Sequence, residues 1–249
     1  MIEQNDMCGL FGKLPQQGDF VSHFLPEGFT EHWHHWLQAC LSVSREQLGP
    51  DWMDYYLTSP VWRFAIMPNV ITDKAVVGVM IPSVDEVGRY FPLTVAHLAD
   101  HHPWSAYRDG AEWYQHVEKV ALLALDDAVG YTQFVGRFEQ LELPEFPPLQ
   151  HYVTDLAHQQ SRDNAVVDLK PDQSADDLTL DLLTAAHQRI YGNYSLWWTE
   201  GSEFIPSSLL VSSQLPDAGQ FAAMLDGNWT QWGWNKEAIL SNDNKPPTE

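Results

Sequence analysis

Lysine, arginine and aspartate set among glycines are the groups from which phosphate and carboxylate sites are built, and this chain concentrates them in two short stretches. The first is Gly9-Leu-Phe-Gly-Lys-Leu-Pro-Gln-Gln-Gly-Asp-Phe20, which places Gly12, Lys13, Gly18 and Asp19 directly after an apolar start. A phosphate loop needs a glycine five positions before the Gly-Lys pair and a Ser or Thr after the lysine. Those positions hold Met7 and Leu14, so neither the backbone cradle nor the magnesium-binding hydroxyl is encoded. A dinucleotide fingerprint fails as well, because Pro15 stands where its helix would begin to run. The glycines are read instead as a tight strand-to-loop turn.

The second stretch is Pro82-Ser-Val-Asp-Glu-Val-Gly-Arg-Tyr-Phe-Pro-Leu93. Asp85 and Arg89 bracket a turn between apolar segments, where a charge close to a core needs an opposite charge within reach, and an ion pair is expected. Lys13 and Asp19 are expected to form a second pair of the same kind. If both loops leave the same sheet edge, the four side chains form a polar cluster where layered α/β proteins keep binding sites. Such a cluster serves either to fasten the loops or to bind a ligand.

Other arrangements of reactive side chains carry less. His32, His34 and His35 lie within one helical segment, and the helical rotation of 100° per residue spreads them around Trp33. His101 and His102, before Pro103, are expected in a solvated loop. GxSxG does not occur, and the acidic Glu112, Glu118, Asp126 and Asp127 read as the wet face of a helix. Cys8 and Cys40 are read as buried thiols. The aromatic runs Trp197-Trp198 and Trp229-Thr-Gln-Trp-Gly-Trp234 are assigned to packing. No metal and no cofactor is expected.

Composition restricts the partners. Acidic residues number 34 against 13 basic, a formal net charge of −21 that repels phosphate backbones and anionic headgroups. Neither nucleic acid nor a membrane surface is an expected partner. The start, MIEQNDM, has no basic n-region, and the longest apolar run, from Ala75 to Val84, is too short to span a bilayer, so a cytoplasmic location is expected.

Periodicity then supplies the elements that must hold these residues. Strands are predicted over Met7–Phe11, Val61–Met67, Ala75–Pro82, Arg89–His97, Tyr194–Trp198 and Leu209–Ser213, and Ala75–Pro82 is predicted to form a hairpin with the strand after it. Helices are predicted over Phe29–Leu48, Ala111–Val129, Leu178–Ile190 and Ala218–Leu225, the first turning Phe29, Trp33, Trp36, Leu37, Cys40, Ser44 and Leu48 inward. Residues 142–177 thin in apolar content and carry Pro144, Pro147, Pro148 and Pro171, which suits a long surface excursion or a hinge. Residues 1–240 are read as one α/β domain, layered around a mixed β-sheet, with 241–249 as a disordered tail.

The motifs also carry a family resemblance. GLFGKLPQQGDFV, SPVWRFAI (Ser59–Ile66) and PSVDEVGRYFPL resemble the TagF accessory proteins of bacterial type VI secretion systems, and YSLWWTEG and LPDAGQFAAML are similar to that family's closing region. The resemblance implies a three-layer α/β sandwich and a cytoplasmic, non-enzymatic repressor acting after translation. It further implies that the partner is a scaffold carrying a forkhead-associated domain, whose promotion of assembly is blocked. Its motif positions here are Gly12, Lys13, Gly18, Asp19, Ser59, Pro60, Arg63, Phe64, Ser83, Asp85, Gly88, Arg89 and Pro92, with no catalytic role attached. The competing expectation is an enzyme or small-ligand binder that uses Lys13, Asp19, Asp85 and Arg89 on an anionic substrate.

Overall fold

Seven strands form one sheet whose neighbours all run antiparallel. The computed structural model describes residues 7–99, 102–146 and 174–236. Along the chain these residues form β1 (Gly9–Gly12), β2 (Val21–His23), α1 (Glu27–Leu48), α2 (Trp52–Leu57), β3 (Trp62–Ile66), β4 (Ala75–Ile81) and β5 (Leu93–Ala99). Then follow α3 (Pro103–Asp109), α4 (Ala111–Leu123), α5 (Tyr131–Phe138), α6 (Ala175–Tyr191), β6 (Tyr194–Gly201), β7 (Pro206–Ser213) and α7 (Ala223–Asp226). The spatial order is β2-β1-β5-β4-β3-β6-β7.

The layered α/β reading holds, while the mixed sheet does not: each pairing is antiparallel. A helix between two strands suggests a parallel neighbour. Here the α1 and α2 connection joins β2 to β3, which run the same way but stand four places apart, and β1, β5 and β4 fill the gap with alternating directions. The sequence conceals this because the central strands are covered on both faces, and β4 is buried at all seven positions. A strand covered on both faces loses its apolar-polar alternation whatever its direction.

Helices cover the sheet on both sides. Phe64 and Trp197 face α1, where Trp33 lies 5.1 Å and 6.0 Å from their ring centres, and Trp62 on the same side donates to the Met224 carbonyl of α7 at 3.1 Å. The next residues along each strand, Arg63 and Trp198, face the other way, towards Glu118 and Tyr114 of α4 and Tyr107 of α3. This alternation is the period-two geometry of a strand, and it makes three layers. Gly78, opposite Phe64 in the register, makes room for that ring, since a Cβ there would stand 2.7 Å from Phe64 Cζ and 2.3 Å from the Val95 oxygen.

Several predicted boundaries move. The strand predicted over Arg89–His97 begins only at Leu93, because residues 85–89 close a turn, and the helix predicted over Ala111–Val129 ends at Leu123. β2, α2, α3 and α5 were not predicted; each has eight residues or fewer, too short for a periodic signal. His102 is buried rather than solvated: it directly precedes α3 and shares a hydrogen bond with Thr184 of α6. Burial and the nearby Arg108 charge push its imidazole down to about 4. The excursion predicted over 142–177 and the tail over 241–249 lie largely or wholly outside the described residues, as does His101.

Candidate functional site

The antiparallel order brings four connections to one end of the sheet: the β1–β2 loop, the β4–β5 turn, the entry to β3 and the β6–β7 turn. Both charged stretches singled out above are among them. β1 ends at Gly12, whose φ of 143° lies outside the range that L side chains favour and whose Cβ would stand 2.2 Å from the Pro92 oxygen. That close passage starts Lys13 beneath the β4–β5 turn. Gly12→Ala is therefore expected to cost about 2–3 kcal/mol from backbone strain, measured by urea denaturation; an unchanged midpoint would show that the two strands need no such approach.

Lys13 is buried, and its Nζ donates to Asp85 Oδ2 while lying 4.7 Å from the Phe20 ring centre. Asp85 is fully buried at its side chain and accepts bonds at both oxygens. Oδ2 also receives Arg89 Nε at 2.6 Å, and Oδ1 receives the backbone N–H groups of Val87 at 3.1 Å and Arg89 at 2.8 Å. The turn closes through Asp85 N to Arg89 O at 3.0 Å, with Gly88 at a φ of 83° that suits glycine. Arg89 Nη2 reaches across to the Gly18 carbonyl, which ties the two loops together.

Burial by itself would raise the Asp85 pKa. The hydrogen bond from Lys13, those from the Arg89 backbone and side chain, and the Lys13 charge together outweigh it, and the carboxyl sits well below the usual carboxylate range. A second fastening lies alongside: Ser83 Oγ donates to the Lys13 carbonyl at 2.7 Å, and the Tyr56 hydroxyl donates to the Ser83 carbonyl at 2.9 Å while accepting from Ser83 N at 3.1 Å. Tyr56 thereby anchors α2 to the cluster. Sequence reasoning missed both Tyr56 and the Phe20 contact, although the Trp52/Tyr56 spacing after Gly49-Pro50 carried a short helical signal.

Of the nine candidates, seven come together: Gly12, Lys13, Gly18, Ser83, Asp85, Gly88 and Arg89. The expected pair between Lys13 and Asp19 does not form. Asp85 takes the Lys13 ammonium, and Asp19, one residue past Gly18, is exposed. Arg63 is also separate, because its position on β3 points it to the other face of the sheet. There it bonds to Glu118 Oε2 at 2.6 Å and Glu200 Oε1 at 2.9 Å, and these carboxylates outweigh burial and hold the guanidinium pKa above its ordinary value. The chemistry of the cluster is that of a clamp: its carboxylate is saturated with donors and its ammonium is buried against it. Among the described residues no group of three or more His, Cys, Asp or Glu side chains is placed to hold a metal ion.

The family model described as the TagF N-terminal domain, type VI secretion system-associated, matches residues 9–141. This chain belongs to the TagF family. The matched span contains the whole clamp, both loops and the helix that carries Tyr56. Structural likeness extends beyond that span: the crystal structure of PA0076 from Pseudomonas aeruginosa PAO1 is similar at a TM-score of 0.74 and 33% identity, covering 96% of this chain and 100% of that one. No curated protein matches the chain. No helix among the described residues is long and apolar enough to cross a membrane.

Proposed function

We propose that this TagF-family protein is a non-enzymatic cytoplasmic regulator of a type VI secretion system, which represses assembly after translation by binding a scaffold with a forkhead-associated domain. Family membership places the chain with that apparatus, and the clamp supports binding over catalysis. A general base needs a free lone pair near a substrate and a pKa near the working pH. Asp85 instead has both oxygens occupied and a depressed pKa, so the clamp gives the protein a rigid loop pair to present. The net charge of −21 supports a partner with basic surface, which a domain that reads phosphothreonine through arginines provides.

The test is a calorimetric titration of the full chain against the scaffold from the same organism, at low and high salt. Saturable 1:1 binding that weakens at least severalfold with added salt is expected. Absence of heat at both salt concentrations would rule the repressor reading out as stated. Binding that is indifferent to salt and persists with saturating phosphopeptide would keep the partner but remove competition for the phosphate-reading face.

A further inference from the structure

Around the clamp, the β1–β2 loop, the 85–89 turn, α2 and the β6–β7 turn expose a strip of large apolar side chains. At one end the Phe20 ring packs against Phe91 at 4.8 Å and His34 at 5.0 Å. Beyond the 85–89 turn, the Tyr90 hydroxyl contacts Met53 Sδ at 2.9 Å, and farther along α2 the Tyr55 ring meets Phe204 of the β6–β7 turn at 4.9 Å. Along this path Phe20, Met53, Leu57, Val87 and Phe204 are each 40% to 68% exposed. Interspersed with them are the exposed acids Asp19, Asp51, Asp54, Glu86 and Glu203. The exposed bases within the strip are already engaged: Arg45 stacks 4.2 Å from the Trp52 ring, and Arg89 is spent on Asp85 and Gly18.

Large exposed apolar side chains set among charges on four neighbouring connections are the material of a protein interface. The acids select the occupant. A second copy related by two-fold symmetry would set the same five acids against themselves, and an anionic membrane would be repelled. We infer that this strip is the docking surface for a folded partner whose face presents arginine or lysine around apolar side chains. Resting on the reading above, we assign that partner as the forkhead-associated scaffold. The clamp then holds the β1–β2 loop and the 85–89 turn in the bound arrangement before the partner arrives, which lowers the ordering cost of association.

Two strip variants leave the clamp intact: Asp19→Lys/Asp54→Lys/Glu86→Lys, which reverses the charge, and Leu57→Ser/Val87→Ser, which removes apolar area. The comparison variant, Glu112→Lys/Asp127→Lys/Glu139→Lys, makes the same charge change on exposed residues of the opposite helical layer. Each full-length protein is titrated with the scaffold, sedimented alone, and melted to confirm folding. The expected result is at least a tenfold loss of affinity for the charge-reversed strip, at least a threefold loss for the serine variant, and less than twofold for the comparison. Wild-type binding with no loss in either strip variant overturns the surface assignment and leaves the scaffold reading standing. No wild-type binding overturns both. A wild-type dimer that the strip variants dissolve overturns the assignment in favour of a second copy.

Discussion

Replacing Asp85 with Asn is expected to destabilise the protein by about 3–5 kcal/mol at pH 7, because it removes one partner of a buried charge pair and leaves the other uncompensated. The amide can still accept from the Val87 and Arg89 backbones through one oxygen. Its NH2 group, however, would then point donors at the Lys13 and Arg89 donors that Oδ2 now receives. Lys13 carries most of the consequence, since its ammonium is buried whereas the Arg89 side chain is 56% exposed and can turn to water. Arg89→Ala should therefore cost only about 1 kcal/mol. The double variant Lys13→Met/Asp85→Asn should recover much of the loss, because it strands no charge.

The same residue sets a pH dependence whose sign follows from its depressed pKa. A carboxyl held below its unfolded value of about 3.9 contributes stability that is complete above that value and is lost as the pH falls towards the folded one. The gap between wild type and Asp85→Asn should be widest from about pH 5 to 8 and should narrow below about pH 4. Urea denaturation at pH 7 and pH 3 measures both the gap and the start of its narrowing. An Asp85→Asn protein within 1 kcal/mol of wild type at pH 7 would mean that the clamp holds nothing.

Trp33→Ala is expected to cost about 3–5 kcal/mol, an equal effect from a different cause. Trp33 is fully buried where α1 crosses the sheet, with Phe29 at 5.4 Å, Trp36 at 4.8 Å, Phe64 at 5.1 Å and Trp197 at 6.0 Å. Its Nε1 donates to Thr94 Oγ1 at 2.9 Å, the bond that joins the helix to the strand leaving the clamp. Truncation opens a cavity that rings on three elements cannot all collapse into, and it strands a buried hydroxyl. For a chain of this size the loss corresponds to a fall of about 10 °C in Tm. A fall below about 3 °C would show that the aromatic layer repacks freely. Because Trp33 is fully buried and contributes no surface to the exposed strip, the variant that remains folded should keep its affinity for the scaffold, whereas Asp85→Asn should lose stability and affinity together.

By itself the sequence determined the layered class, the hairpin of β4 with β5, the buried stripe of α1 and the two loops that bear the clamp. These are local properties: α1 is long enough to show its period, and glycine, proline and charge mark a turn within a few residues. The aromatic runs also read correctly as packing, since Trp197, Trp198 and Trp229 are buried. Tertiary structure decided the rest. The partner of Lys13 is 72 residues away at Asp85 rather than six away at Asp19, and no local rule ranks those choices, because strand order brings the two loops to one end of the sheet. Arg63 leaves the cluster for the same reason, since the face to which a strand residue points depends on the register of a whole sheet. Tyr56 and the exposed strip emerge only when α2, the 85–89 turn and the β6–β7 turn are assembled side by side. A pairing, a facing and a surface are relations between distant segments, fixed by which packing buries the most apolar area with every buried charge matched.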